Sequence, residues 1–198
     1  MHLGASLERV VWRQWPNGTA APSPALVAAL RSLAALPEPL KGELGRELRG
    51  IFVGPGGVPD LDSMQHLRDR GLPSGRGRWD ESAGAYIDRF VLVGDRPTPT
   101  PDVMLHELGH AFDEMRGDEQ MLSDKPVFVS VYQTCAPALA LPVHQIRGPV
   151  GRREFFADAF AALGAGATLE LLSWLSGERE LLLLVAAYFR QQFPELRR

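Results

Sequence analysis

The sequence predicts an α+β fold, with a few short strands in its first half and a mostly helical second half. Two observations carry that expectation. Short apolar runs bounded by turn residues read as strands: Ile51-Phe52-Val53 before Gly54-Pro55-Gly56-Gly57, and Phe90–Val93 before Gly94-Asp95. Beyond residue 100, apolar residues recur at three-to-four spacing, as on one face of a helix.

Taken in order, residues 1–22, with Trp12, Trp15, Pro16-Asn17-Gly18 and Pro22, give no assignable pattern. Ser23-Pro24 suits the cap and first turn of a helix through Leu36, which Pro37 stops. A second helix is expected over Lys41–Leu48. The glycine cluster at 54–57 lacks the lysine and hydroxyl residue of a phosphate-binding loop, and reads as a turn. Residues 70–84, rich in Gly, Arg and Ser, read as a surface loop. Tyr86-Ile87 and Phe90–Val93 flank Asp88-Arg89 as a strand pair or one bent strand. Thr100 is expected to cap the next helix, with Pro101 in first position and Asp102 at the positive end of the dipole. Met104, Leu108, Ala111, Phe112 and Met115 form its core face, and Gly117 ends it. Further helices are expected over Asp124–Thr134, over Arg153–Leu163 up to Gly164, over Thr168–Leu175 and over Gly177–Phe193.

A chain of 198 residues can hold one domain with a real core. Its net charge of −3 gives no electrostatic case for nucleic acid or an anionic membrane. The basic stretches Arg68–Arg78 and Arg147–Arg153 are short and broken by glycine, and read as solvated loops. A single cysteine, Cys135, excludes an internal disulfide and fits a reducing compartment; its neighbours suggest a small core residue. The N-terminus shows no basic start followed by an apolar run, so no secretory signal is evident, and Leu181–Phe189 is too short to cross a bilayer. A soluble monomer is expected, cytoplasmic or exported without a recognisable signal peptide. Trp12, Trp15 and Trp174 are expected in the core.

The chemistry concentrates in His106-Glu107-Leu108-Gly109-His110, an H-E-x-x-H sequence inside a helix. Residues four apart share a helix face, so both imidazoles can reach one ion, and zinc accepts nitrogen ligands at about 2.0–2.1 Å. Glu107 sits beside that ion, placed to act as general base toward a water. With 5 histidines in the chain, a chance match is on the order of 1%. A catalytic zinc needs a third protein ligand and an open position. Glu154 is the best candidate: it and Asp158 lie four apart on a helix otherwise full of aromatics and alanines, where two acids need a positive partner. Asp118, Glu119 and Asp124 are alternatives in a polar turn. Asp158, and secondarily Asp113, can accept a hydrogen bond from the outer nitrogen of a ligand histidine.

The segments His106–Asp113 and Glu154-Phe155-Phe156-Ala157-Asp158-Ala159-Phe160 resemble the catalytic domain of the anthrax lethal factor-like metallopeptidases, a group that includes the bacterial Pro-Pro endopeptidases. Gly84–Ile87 and Phe90–Gly94 stand where that family has its strand before the active-site helix, so the resemblance covers about residues 45–193. It implies a zincin-like domain of the gluzincin type over 45–198, with 1–44 as a helical extension packed on it. It implies one Zn2+, the ligands His106, His110 and Glu154, the base Glu107, and hydrolysis of a peptide or protein substrate. An extended peptide is expected beside Phe90, Val91, Leu92 and Val93. The family usually has a tyrosine seven residues before the third ligand to steady the oxyanion; Arg147 stands there. Arg147, His144 or Tyr132 could take that role. A peptide-binding module of the same fold without hydrolysis is the alternative.

Overall fold

The computed structural model describes residues 2–15, 22–72, 77–98 and 100–196; residues 16–21, including the unassigned Pro16-Asn17-Gly18, and the centre of the 70–84 loop lie outside them. By its internal contacts the chain divides into two units, 1–107 and 108–198.

The first unit holds the sheet. Among the described residues it has four strands, β1 (Val11–Arg13), β2 (Gly50–Val53), β3 (Gly84–Ile87) and β4 (Phe90–Val93), in the order β1-β2-β4-β3. β1, β2 and β4 run parallel, and β3 is antiparallel to β4. The sheet is therefore small and mixed, as expected. Its first strand is not: Val11–Arg13 comes from the stretch read as a helical extension. The first 44 residues build part of the sheet, because Val11, Trp12 and Arg13 pair with Ile51, Phe52 and Val53. Three residues alternate too briefly to announce a strand locally.

The helices of this unit are α1 (Ala5–Glu8), α2 (Pro24–Ala35) and α3 (Glu38–Glu47). Ser23 caps α2 as expected, accepting from Leu26 N–H at 3.4 Å. α2 contributes Leu26, Leu30 and Leu33, and α3 Leu40 and Leu44, all fully or nearly fully buried. One sheet face presents Ile51, Val53, Val91 and Val93, also buried. The other face packs Leu92 and Ala85 against Val58, Leu61 and Met64, with Phe52, Phe90 and Trp79 partly covered. Trp12 does not join the core: on the sheet's outermost strand, it is 56% exposed beside Phe52. β3 and β4 form a hairpin rather than one bent strand. Its turn residues Asp88 (φ 49°) and Arg89 (φ 65°) adopt the left-handed conformation that fits the twist of a two-residue hairpin.

The second unit is helical: the later turns of α4 (Val103–Met115), then α5 (Pro126–Cys135), α6 (Pro149–Ala165), α7 (Thr168–Trp174) and α8 (Arg179–Gln192). α6 starts four residues earlier than its periodicity suggests, at a proline, and ends on Gly166 in the left-handed conformation. It is buried nearly all round, from Phe155 through Ala162. A cluster of rings encloses it, Phe112–Phe160 at 5.3 Å and Phe156–Phe189 at 4.9 Å among them.

α4 is capped by Asp102 rather than Thr100. The Asp102 carboxylate accepts from Leu105 N–H at 2.9 Å, its carbonyl takes the His106 N–H, and its second oxygen accepts from Ser32 Oγ. A carboxylate at the cap satisfies an orphan N–H and meets the positive helix end together. Asp102→Ala should lower stability by about 1 kcal/mol, a melting shift of roughly 3 °C, while Asp102→Asn keeps most of it; thermal denaturation monitored by circular dichroism reads the difference.

Candidate metal centre

Helix α4 brings the H-E-x-x-H residues together as its periodicity requires. His106, Glu107 and His110 each offer a donor atom within 4.8 Å of the others, so this group could hold a metal ion. His106 and Glu107 are buried and His110 is partly exposed.

Glu154 lies in the first turns of α6, and its Oε1 stands 3.7 Å from His110 Nε2. That separation exceeds a hydrogen bond. Two ligand atoms held about 2.0–2.1 Å from one tetrahedral ion stand roughly 3.3–3.4 Å apart, so the pair is close to the spacing of shared ligation. Both side chains are only partly exposed. Glu154 stands beside the His106, Glu107 and His110 group rather than within it, and nitrogen and carboxylate are donor types that zinc accepts.

Asp158, Asp113 and Asp124 each have a named partner. Asp158 pairs with His144, Oδ2 to Nε2 at 2.8 Å. One oxygen of Asp158 is thus taken by this buried ring. Asp113 accepts from both Ser123 N–H and Ser123 Oγ at 2.6 Å, capping the short turn Leu122–Asp124. With both oxygens so engaged, it acts as a local cap. Asp124 is gripped by Arg152 and Arg153 at the start of α6. Burial works to raise its pKa, but the two guanidinium hydrogen bonds outweigh it and the net direction is down. Asp118 is exposed beside Lys125, and Glu119 is exposed in the same turn.

Two expected catalytic side chains make other contacts. His144 has no exposed surface; its ring lies between Phe155 and Trp174, with centroids at 5.3 and 6.0 Å. A ring without exposed surface cannot donate to a substrate carbonyl. Tyr132 is half-buried on α5 and its hydroxyl donates to the His144 carbonyl. Both tie the 139–148 segment down. Arg147 is exposed in that segment.

Phe90–Val93 is not an edge. β4 is paired on both sides, with β2 and with β3, so no further strand can be added to it. β3 is the outer strand, paired among the described residues with β4 alone. It also runs beside the helix that carries the histidines: a Cβ built at Gly84 would stand 2.5 Å from Val103 Cγ1 and 2.8 Å from Glu107 Oε1. The edge strand next to the helix that carries the histidines is β3, and Gly84 permits the approach.

No family model matches the chain, and no curated protein matches it by sequence. Among solved structures it is similar to a Pro-Pro endopeptidase from Paenibacillus alvei, with a TM-score of 0.65, 19% identity, and coverage of 93% of this chain and 100% of that one. The fold resembles that of a Pro-Pro endopeptidase. The likeness reaches well beyond residues 45–193, in keeping with the strand that the N-terminal stretch lends to the sheet.

Asp113 provides a measurable signature of this unit. Burial raises its carboxyl from the ordinary 3.8 to about 6, although both Ser123 donors oppose the shift. A raised carboxyl pKa means the folded state holds its proton more tightly, so the stabilisation is full below about pH 4 and lost as pH rises through 6. Asp113→Asn should remove a pH-dependent loss on the order of 2 kcal/mol between those values, read from urea midpoints of both proteins across that window.

Proposed function

We propose that the chain is a zinc-dependent endopeptidase with His106, His110 and Glu154 as metal ligands and Glu107 as general base. The observation that carries this reading is the 3.7 Å approach of Glu154 to His110, beside the His106, Glu107 and His110 group. The similarity to a Pro-Pro endopeptidase structure supports peptide as the substrate class.

Bound there, zinc supplies Lewis acidity toward the scissile carbonyl and brings the pKa of water toward neutrality. The rest falls to the chain. An extended peptide lies along the outer edge of β3, where Gly84 adjoins Glu107. Glu107 takes a proton from the attacking water as its oxygen bonds to the carbonyl carbon. The same carboxyl returns that proton to the amine as the C–N bond breaks. Arg147 is our candidate for the donor that steadies the oxyanion, since His144 is enclosed and the Tyr132 hydroxyl is engaged.

A second reading is a peptide-binding module that does not cut. It is favoured by the arginine at the position where the resembled family has its tyrosine. The two readings part on one experiment. A peptide library incubated with the zinc-loaded protein, read by mass spectrometry, yields cleavage products only under the first.

Glu107→Gln should keep one zinc per chain and lower turnover by 10²–10⁴-fold or more, roughly the contribution of a general base. His110→Ala should bring zinc stoichiometry, by elemental analysis after dialysis, close to zero. Unchanged turnover in the first variant, or unchanged zinc in the second, contradicts the assigned roles.

A further inference from the structure

Within H-E-x-x-H, Gly109 is a glycine in the middle of a helix, where alanine is the better helix former. The structure gives the position a steric reason. A Cβ built at Gly109 would stand 2.8 Å from the Cα of Ala157, 3.0 Å from its carbonyl oxygen and 3.3 Å from its carbonyl carbon. These are backbone atoms of α6, with no flexible side chain between them to yield. Helix α6 crosses α4 here in direct backbone contact, and small residues at a crossing permit that closeness.

The crossing lies beside the proposed ligands on both helices. His110 follows Gly109 on α4, and Glu154 precedes Ala157 by three residues on α6, on a neighbouring stretch of the same face. We infer that Gly109 is a positioning residue that sets the metal affinity of the site: its missing side chain fixes the α4–α6 separation at which Glu154 reaches the ion held by His110. The inference rests on the ligand set proposed above. A methyl group at residue 109 forces α6 outward by several tenths of an ångström or more. Glu154 already stands 3.7 Å from His110, so the shift widens a gap close to the limit of shared ligation.

The test is a double-mutant cycle on zinc affinity, measured by competition with a chromogenic chelator. Gly109→Ala should weaken zinc binding at least tenfold, with helix content by circular dichroism unchanged. Gly42→Ala on α3, whose methyl group would meet only the Arg46 guanidinium at 3.4 Å, should change it less than twofold. In a Glu154→Ala background, Gly109→Ala should have less than a twofold effect, because the ligand it displaces is gone. Equal losses in both backgrounds, or no loss in either, overturn the inference. Should Gly109→Ala not fold, Glu154→Asp tests the same separation by shortening the reach one methylene: a tenfold loss supports it, and unchanged affinity overturns it. Failure of the ligand set itself reads differently, as wild-type protein that binds no zinc or a His110→Ala variant that binds it normally.

Discussion

Helix α6 is held where it is by aromatic packing, and the candidate metal centre depends on that placement. Its residues from Phe155 to Ala162 are buried, and rings from α4, α5 and α8 close around them. Hydrophobic burial supplies the force, and the close passage over Gly109 sets the distance. Glu154 sits at the partly exposed end of this rod, 3.7 Å from His110. Asp158 lies one turn deeper, where an ionisable side chain without a partner would be costly. His144 answers it from the segment leading into α6. The same hydrogen bond anchors that segment, which Tyr132 grips by the carbonyl.

What could be read in advance follows the range of the interactions involved. The helical period of Met104 to Phe112, the Ser23-Pro24 start and the acid pair on an alanine-rich helix are local patterns, and each corresponds to an observed element. The position of Glu154 near His110 was legible because two acids on an apolar face need explaining. For Asp158 the need for a partner was plain, while its bond to His144 depends on the segment leading into α6. His144 itself showed in sequence only as a polar side chain ahead of Glu154, and its burial depends on rings brought in from Phe155 and Trp174.

The sheet was less legible for the same reason. Strand pairing is a non-local choice, and a four-residue apolar run does not reveal whether it lies inside or at an edge. Phe90–Val93 is the more apolar member of its hairpin because it is enclosed on both sides. The more mixed Gly84–Ile87 occupies the outside. Trp12 makes the same point in reverse: a large aromatic on an outermost strand is 56% exposed.

Cys135 lies at the end of α5 with no exposed surface, and burial pushes its thiol up to about 11. It therefore stays protonated at neutral pH, withdrawn from solvent. Thiolate sulfur is the softest donor a protein can offer a divalent ion, and here it is out of play. Metal taken up by the folded chain thus reports on imidazole and carboxylate groups alone, and alkylating reagents or mild oxidants should leave that uptake untouched.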